Sequence, residues 1–190
     1  QTITSRYSCI SSEQFNHVLG AAFAAAPNAT LRTGTIAREV TAGNVTLEDG
    51  TTLNARAVID GRGPTGHPLR AGGYQKFVGL EVELAQNHGL DAPTLMDATV
   101  PQIDGFRFVY TLPLGPKRLL IEDTYFSHHP TLNQEDIEAR VRSYARDRGH
   151  TIERVHRREY GVLPMSSDGL PDRPSLPLRS GYAGGWFHPA

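Results

Sequence analysis

A chain of 190 residues can bury a substantial core without disulfide staples, and 19 basic against 20 acidic side chains leave it nearly neutral, with no basic field to attract nucleic acid. Its single cysteine, Cys9, excludes an intramolecular disulfide framework and a multi-cysteine metal site, and suits a reducing cytosol. No apolar run approaches the roughly 20 residues that cross a bilayer, and the first residues lack the basic and apolar blocks of a signal peptide, so the expectation is a cytoplasmic protein, at most peripheral to a membrane.

Ser11-Ser12-Glu13-Gln14 has the spacing of a capping box, and Phe15, Val18, Leu19, Ala22 and Phe23 follow at helical intervals, which predicts an amphipathic helix ending before Pro27. Extended pieces are predicted over Ile36 to Thr41, Val45 to Leu47 and Thr51 to Leu53, the last two joined by the turn Glu48-Asp49-Gly50. Ala57-Val58-Ile59-Asp60 reads as a buried parallel strand stopped by Gly61-Arg62-Gly63-Pro64, where a cofactor could approach the main chain.

Beyond a Gly-rich connection, Val78, Leu80, Val82 and Leu84 alternate with Gly79, Glu81 and Glu83, the period of a strand with one apolar face. Thr94 to Val100, Phe106 to Leu112 and Arg118 to Phe126, separated by Asp104-Gly105 and Gly115-Pro116, complete a mainly antiparallel sheet. Ile137, Val141, Tyr144 and Ala145 mark one face of a second helix, capped at Thr131 or Asn133 and stopped by Gly149. A strand follows from Thr151 towards Tyr160, and the last stretch, rich in Pro, Gly and Ser, closes on Gly184-Gly185-Trp186-Phe187-His188-Pro189-Ala190.

The hairpin leading into Ala57-Val58-Ile59-Asp60-Gly61-Arg62-Gly63 resembles the second flavin-contacting segment of two-domain FAD enzymes. Four further blocks narrow the likeness: Gly73-Tyr74-Gln75-Lys76-Phe77-Val78-Gly79, Met96-Asp97-Ala98-Thr99-Val100, Phe106 to Leu114, and Leu119-Leu120-Ile121-Glu122-Asp123-Thr124. In order and spacing they resemble the bacterial lycopene β-cyclase family, and Tyr160-Gly161-Val162-Leu163-Pro164 and Gly185-Trp186-Phe187-His188-Pro189 extend the resemblance over nearly the whole chain. The departure is the lack of the G-x-G-x-x-G turn that holds a dinucleotide pyrophosphate at a helix N-terminus.

The resemblance implies a mixed α/β fragment of a two-domain flavoprotein: part of a Rossmann-like FAD domain over 1–72, an antiparallel-sheet substrate domain over 73–160, and a return to the FAD domain over 161–190. It implies reduced FAD, with NAD(P)H as reductant, held by Asp60, Gly61, Gly63, Gly185, Phe187, His188 and Pro189. It also implies a linear carotene such as lycopene as substrate, met at a membrane surface, and redox-neutral closure of its ends into β-rings. Neither a metal nor nucleic acid is expected.

Ring closure of this kind begins by protonating an isolated double bond. Alkenes are weak bases, so the acid must keep its proton near neutral pH, which a carboxyl group does where burial raises its pKa. Glu122, following Leu119-Leu120-Ile121, meets that demand, and the Glu-Asp-Thr stretch matches the family's acidic motif. Asp123 faces the opposite way on an extended strand and is read as supporting or structural. Asp97, on a neighbouring strand, is the expected partner, orienting Glu122 or accepting the final proton.

Pattern alone leaves other readings open. Glu122 could be an exposed strand-end carboxylate in a surface pair, Asp97 and Asp60 turn residues that bond local backbone, and Phe106, Phe108 and Tyr110 sheet core rather than substrate lining. For the whole chain the alternatives are a related FAD oxidoreductase acting on an isoprenoid or aromatic compound, and a non-catalytic module that binds an apolar ligand.

Overall fold

The computed structural model describes residues 7–63, 71–166 and 176–184. These fall into two compact units, one built from residues 7–63 with 176–184, the other from 71–166.

In the first unit, Ser11 caps helix α1 (Ser12–Ala25) by accepting a hydrogen bond from the Gln14 N–H at 3.1 Å, as the capping pattern predicted. No residue of α1 is buried, and the apolar positions Phe15, Val18, Leu19 and Phe23 are all exposed. Strands β1 (Ala37–Val40), β2 (Asn44–Leu47) and β3 (Thr52–Asn54) form a small antiparallel sheet. The foreseen turn closes β2 onto β3: the Asp49 carboxylate accepts the Thr51 N–H at 2.8 Å, and Gly50 takes a positive φ.

The strand read as buried and parallel is short. Only Ile59–Asp60 (β4) pairs, in parallel, with Leu178–Arg179 (β10), and a short 3-10 turn over Gly181–Gly184 follows β10. Parallel pairing agrees with the expectation, but burial does not: Ile59 is 69% exposed, because one two-residue neighbour covers little of it.

The second unit is a five-stranded antiparallel sheet in the order β6-β7-β8-β5-β9, formed by β5 (Ala71–Leu84), β6 (Thr94–Asp97), β7 (Phe106–Gly115), β8 (Arg118–Ser127) and β9 (Ile152–Ser166). β5 begins within what reads as a Gly-rich connection, since pairing with β9 from Ala71 supplies the order that its glycines lack. β9 continues six residues past Tyr160; as the sheet's edge strand it tolerates Pro164. β6 stops at Asp97 rather than Val100, where Met96 has a positive φ and the Asp97 carboxylate turns to bond the Thr99 N–H. At the β7 turn, Gly105 has φ 93° and a Cβ there would lie 2.1 Å from the Phe126 carbonyl oxygen, so only glycine fits.

Helix α2 (Gln134–Asp147), capped by Asn133, lays Ile137, Val141, Tyr144 and Ala145 on one face of this sheet. There they meet Val78, Leu80, Val82, Leu84, Val109, Leu119 and Ile121, the even positions of β5 and the odd positions of β7 and β8. The same face buries an ion pair: Arg107 clasps Asp123 with two hydrogen bonds, of 2.8 and 2.9 Å. The Tyr125 hydroxyl donates to Asp123 at 2.8 Å and accepts from Arg140 at 3.0 Å, and burial pushes its pKa up to about 12. Asp123 is thus structural, on the side opposite Glu122. Replacing Asp123 by Ala would leave the Arg107 guanidinium buried without its counter-charge, and we expect a loss of about 3–5 kcal/mol in urea unfolding.

Candidate active site

Side chains alternate across a strand, so the sheet face away from α2 carries the odd positions of β5, those of β9 from Arg157 onward, and the even positions of β7 and β8. Among the described residues no helix of this unit packs on it. An aromatic run lies along it. Phe106 and Phe126 sit opposite one another with ring centroids 6.2 Å apart, Phe108 meets Phe126 edge-on at 5.4 Å, and Tyr110 meets Phe108 edge-on at 5.3 Å. At the Phe126 end, Gly73, Phe126, His128 and Met165 help to line an open hollow of about 300 Å³.

At the other end the run reaches Glu122, which the register sets beside Tyr110 on β7 and Gly79 on β5. Gly79 in turn stands beside Glu159 on β9, so Glu122, Gly79 and Glu159 form one row across three strands. A Cβ on Gly79 would lie 2.9 Å from Glu159 Cγ, 3.0 Å from Glu159 Oε1 and 3.4 Å from Glu122 Cβ: the missing side chain is the space in which the two acids approach. Two residue pairs further along, the Phe77 ring lies within 2.8 Å of where a Cβ of Gly161 would be, so a second glycine lets an aromatic ring fold across β9.

Burial raises the Glu122 carboxyl to about 7, against the hydrogen bond that the buried Thr124 hydroxyl donates to its Oε1 at 2.9 Å; the charge of Glu159 and a hydrogen bond with it push the same way as burial. Glu159 is itself the counter-ion of Arg157, 2.6 Å away, and Arg157 bridges on to Glu81 at 3.1 Å, which also pairs with Arg118 at 2.6 Å. Among the described residues no cation pairs with Glu122, and it is this carboxyl that holds a proton near neutral pH.

The expected juxtaposition of Asp97 with Glu122 is absent. Asp97 lies opposite Val109 and so faces α2, where its carboxylate accepts hydrogen bonds from Tyr144 at 2.8 Å and Thr99 at 2.6 Å and pairs with Arg148. Burial opposes its charge, but these partners outweigh it and hold its pKa below the usual range. An irregularity in the β6–β7 pairing between Thr94 and Asp97 sets this orientation, which strand alternation read from sequence could not foresee. Glu159, by contrast, went unrecognised, for its relation to Glu122 runs through Gly79 on the strand between them.

Of the residues expected to hold a cofactor, Asp60, Gly61 and Gly63 stand at the carboxyl end of β4. The Asp60 carboxylate accepts two hydrogen bonds of 2.9 Å from the Arg62 side chain and one of 3.1 Å from its N–H, which together lower its pKa to about 2. Among the described residues nothing lies within 4 Å of where a Cβ of Gly61 or Gly63 would be. Gly185, Phe187, His188 and Pro189 lie outside the described residues.

The family described as "Lycopene cyclase protein" matches residues 1–190. The chain is 42% identical over 190 residues to a lycopene beta-cyclase of Pantoea ananas, covering 98% of this chain and 49% of that protein, and 44% identical over 156 residues to one of Pseudescherichia vulneris, covering 80% and 40%. It is 26% identical over 164 residues to a chloroplastic lycopene beta cyclase of Arabidopsis thaliana, covering 77% and 32%. The chain thus spans at most about half the length of these relatives.

Stability should report the proton on Glu122. Between its ordinary 4.5 and about 7 the unfolded chain releases the proton while the folded chain keeps it, so stability falls as pH rises through that window and stays lower above it. Glu122→Gln removes this penalty, which is at most about 3 kcal/mol. Measured in urea, the variant should gain on the parent between pH 5 and pH 8; an equal difference at both pH values contradicts a raised Glu122.

Proposed function

The chain belongs to the lycopene cyclase family, and on that premise we propose that it carries the proton-donating centre of an enzyme that closes the ends of lycopene, or a related linear carotene, into β-rings. The observation that supports this most is a carboxyl group protonated near pH 7 at the end of an aromatic run on a sheet face.

In this reading Thr124 fixes one carboxyl oxygen of Glu122 and leaves the other to carry the proton. Glu122 gives that proton to the terminal double bond, which becomes a tertiary cation. The neighbouring double bond attacks it, one carbon–carbon bond forms, and a proton leaves the adjacent carbon. Electrons balance without an oxidant, and the proton returns to the carboxylate that Glu122 has become. Asp97, engaged with Tyr144 and Arg148, takes no part in this reading. Phe106 and Tyr110, with the wholly buried Phe108 packed between them, offer faces that stabilise positive charge without a nucleophile to trap it.

The open turn at Gly61 and Gly63 suits contact with FAD. When bound in its reduced form, kept so by NAD(P)H, FAD supplies further negative charge for the cation. No helix among the described residues is long and apolar enough to cross a membrane; we propose a peripheral approach to the bilayer, where a carotene dissolves.

Two results are expected when the chain is carried in a full-length cyclase frame with FAD. In lycopene-producing cells Glu122→Gln should cut cyclic carotenes by about 100-fold or more, the usual contribution of a general acid, with lycopene accumulating on chromatography. The parent's rate should hold below about pH 7 and fall roughly tenfold per pH unit above it, because the acid must be protonated to act. Cyclic products from Glu122→Gln at the parent's level would remove Glu122 from this role.

A further inference from the structure

Glu159 has a place in the site that neither the strand pattern nor the aromatic run accounts for. Its carboxylate leans over Gly79 towards Glu122 while its other oxygen is tied to Arg157 at 2.6 Å, an anchor half in solvent. A surface ion pair alone would let Glu159 follow Arg157 outward; instead its Cγ and Oε1 occupy the volume that any side chain at position 79 would need.

We propose that Glu159 is a positioning residue for Glu122: anchored by Arg157 and laid over Gly79, its carboxylate accepts the hydrogen of the Glu122 carboxyl and keeps that acid loaded until a substrate double bond replaces it. The inference rests on the cyclase reading above. The groups that face Glu122 are few: Glu159 with Arg157 from β9, Tyr110 from β7, Thr124 on its own strand, and from β5 only Gly79, with Glu81 one position further along. Of these, only Glu159 and Glu81 bring negative charge, and Glu81 is held by two arginines. Burial does most to keep the proton on Glu122, and Glu159 adds to that hold.

The full-length frame loaded with FAD, labelled with carbon-13 at glutamate carboxyls, allows the Glu122 titration to be followed by NMR and assigned by its disappearance in Glu122→Gln. Removing the neighbouring charge in Glu159→Gln should lower the Glu122 midpoint by roughly one pH unit and the cyclisation rate above pH 7 about tenfold, with KM unchanged. Glu159→Asp should restore both. Arg157→Gln, a change at an exposed side chain that leaves the fold intact, should move the midpoint upward by freeing the charge on Glu159. Midpoints that stay at the parent's position in both Glu159→Gln and Arg157→Gln overturn the role of Glu159 while leaving Glu122 as the acid. Full cyclisation by Glu122→Gln overturns the cyclase assignment itself, and with it any need for a residue that loads the acid.

Discussion

The site depends on a side chain that is not there. Outer residues of a three-strand row stand roughly 10 Å apart at the backbone, too far for two glutamates to meet across a filled position. Gly79 leaves the middle empty, and Glu122 and Glu159 converge over it. Burial raises the Glu122 carboxyl and the neighbouring Glu159, paired with Arg157, pushes the same way.

The same strand, β8, illustrates the two ways in which a protein accommodates a buried acid. Asp123, wholly buried, is gripped by the Arg107 fork and the Tyr125 hydroxyl, which take the place of its hydration. Glu122, with a threonine and a like charge for neighbours, escapes the cost of desolvation by neutralising. Adjacent residues of similar chemistry thus serve opposite ends, one cementing a helix to a sheet, the other holding a transferable proton. What separates them is the identity of the partner each face supplies.

Much of this was legible before any coordinates. Period-two alternation marked β5 and β7, turn residues such as Gly115-Pro116 set off β8, the 3.6-residue period and its cap marked α2, and an apolar run ahead of Glu122 together with its acidic motif singled it out. Non-local pairing was not legible. Glu159 joins Glu122 only through a register that matches each of them to Gly79, and single-strand patterns carry no register. Asp97 was misjudged for a related reason: β7 stands between its strand and that of Glu122, and the irregular β6–β7 pairing turned its carboxylate towards Tyr144. In α1 the apolar stripe was read correctly, yet amphipathicity does not say what an apolar face lies against, and none of its residues is buried.

The antiparallel register of β8 against β5 has a consequence for folding fidelity. A slip by one residue would exchange the two faces of β8, delivering Asp123 to the row with Glu159 and thrusting Glu122 among Leu80, Ile137 and Val141. Arg107 would lose its fork partner at the same stroke. The misaligned sheet would bury an unmatched cation on one side and crowd two carboxylates on the other, so the pair Glu122-Asp123 penalises a one-residue slip.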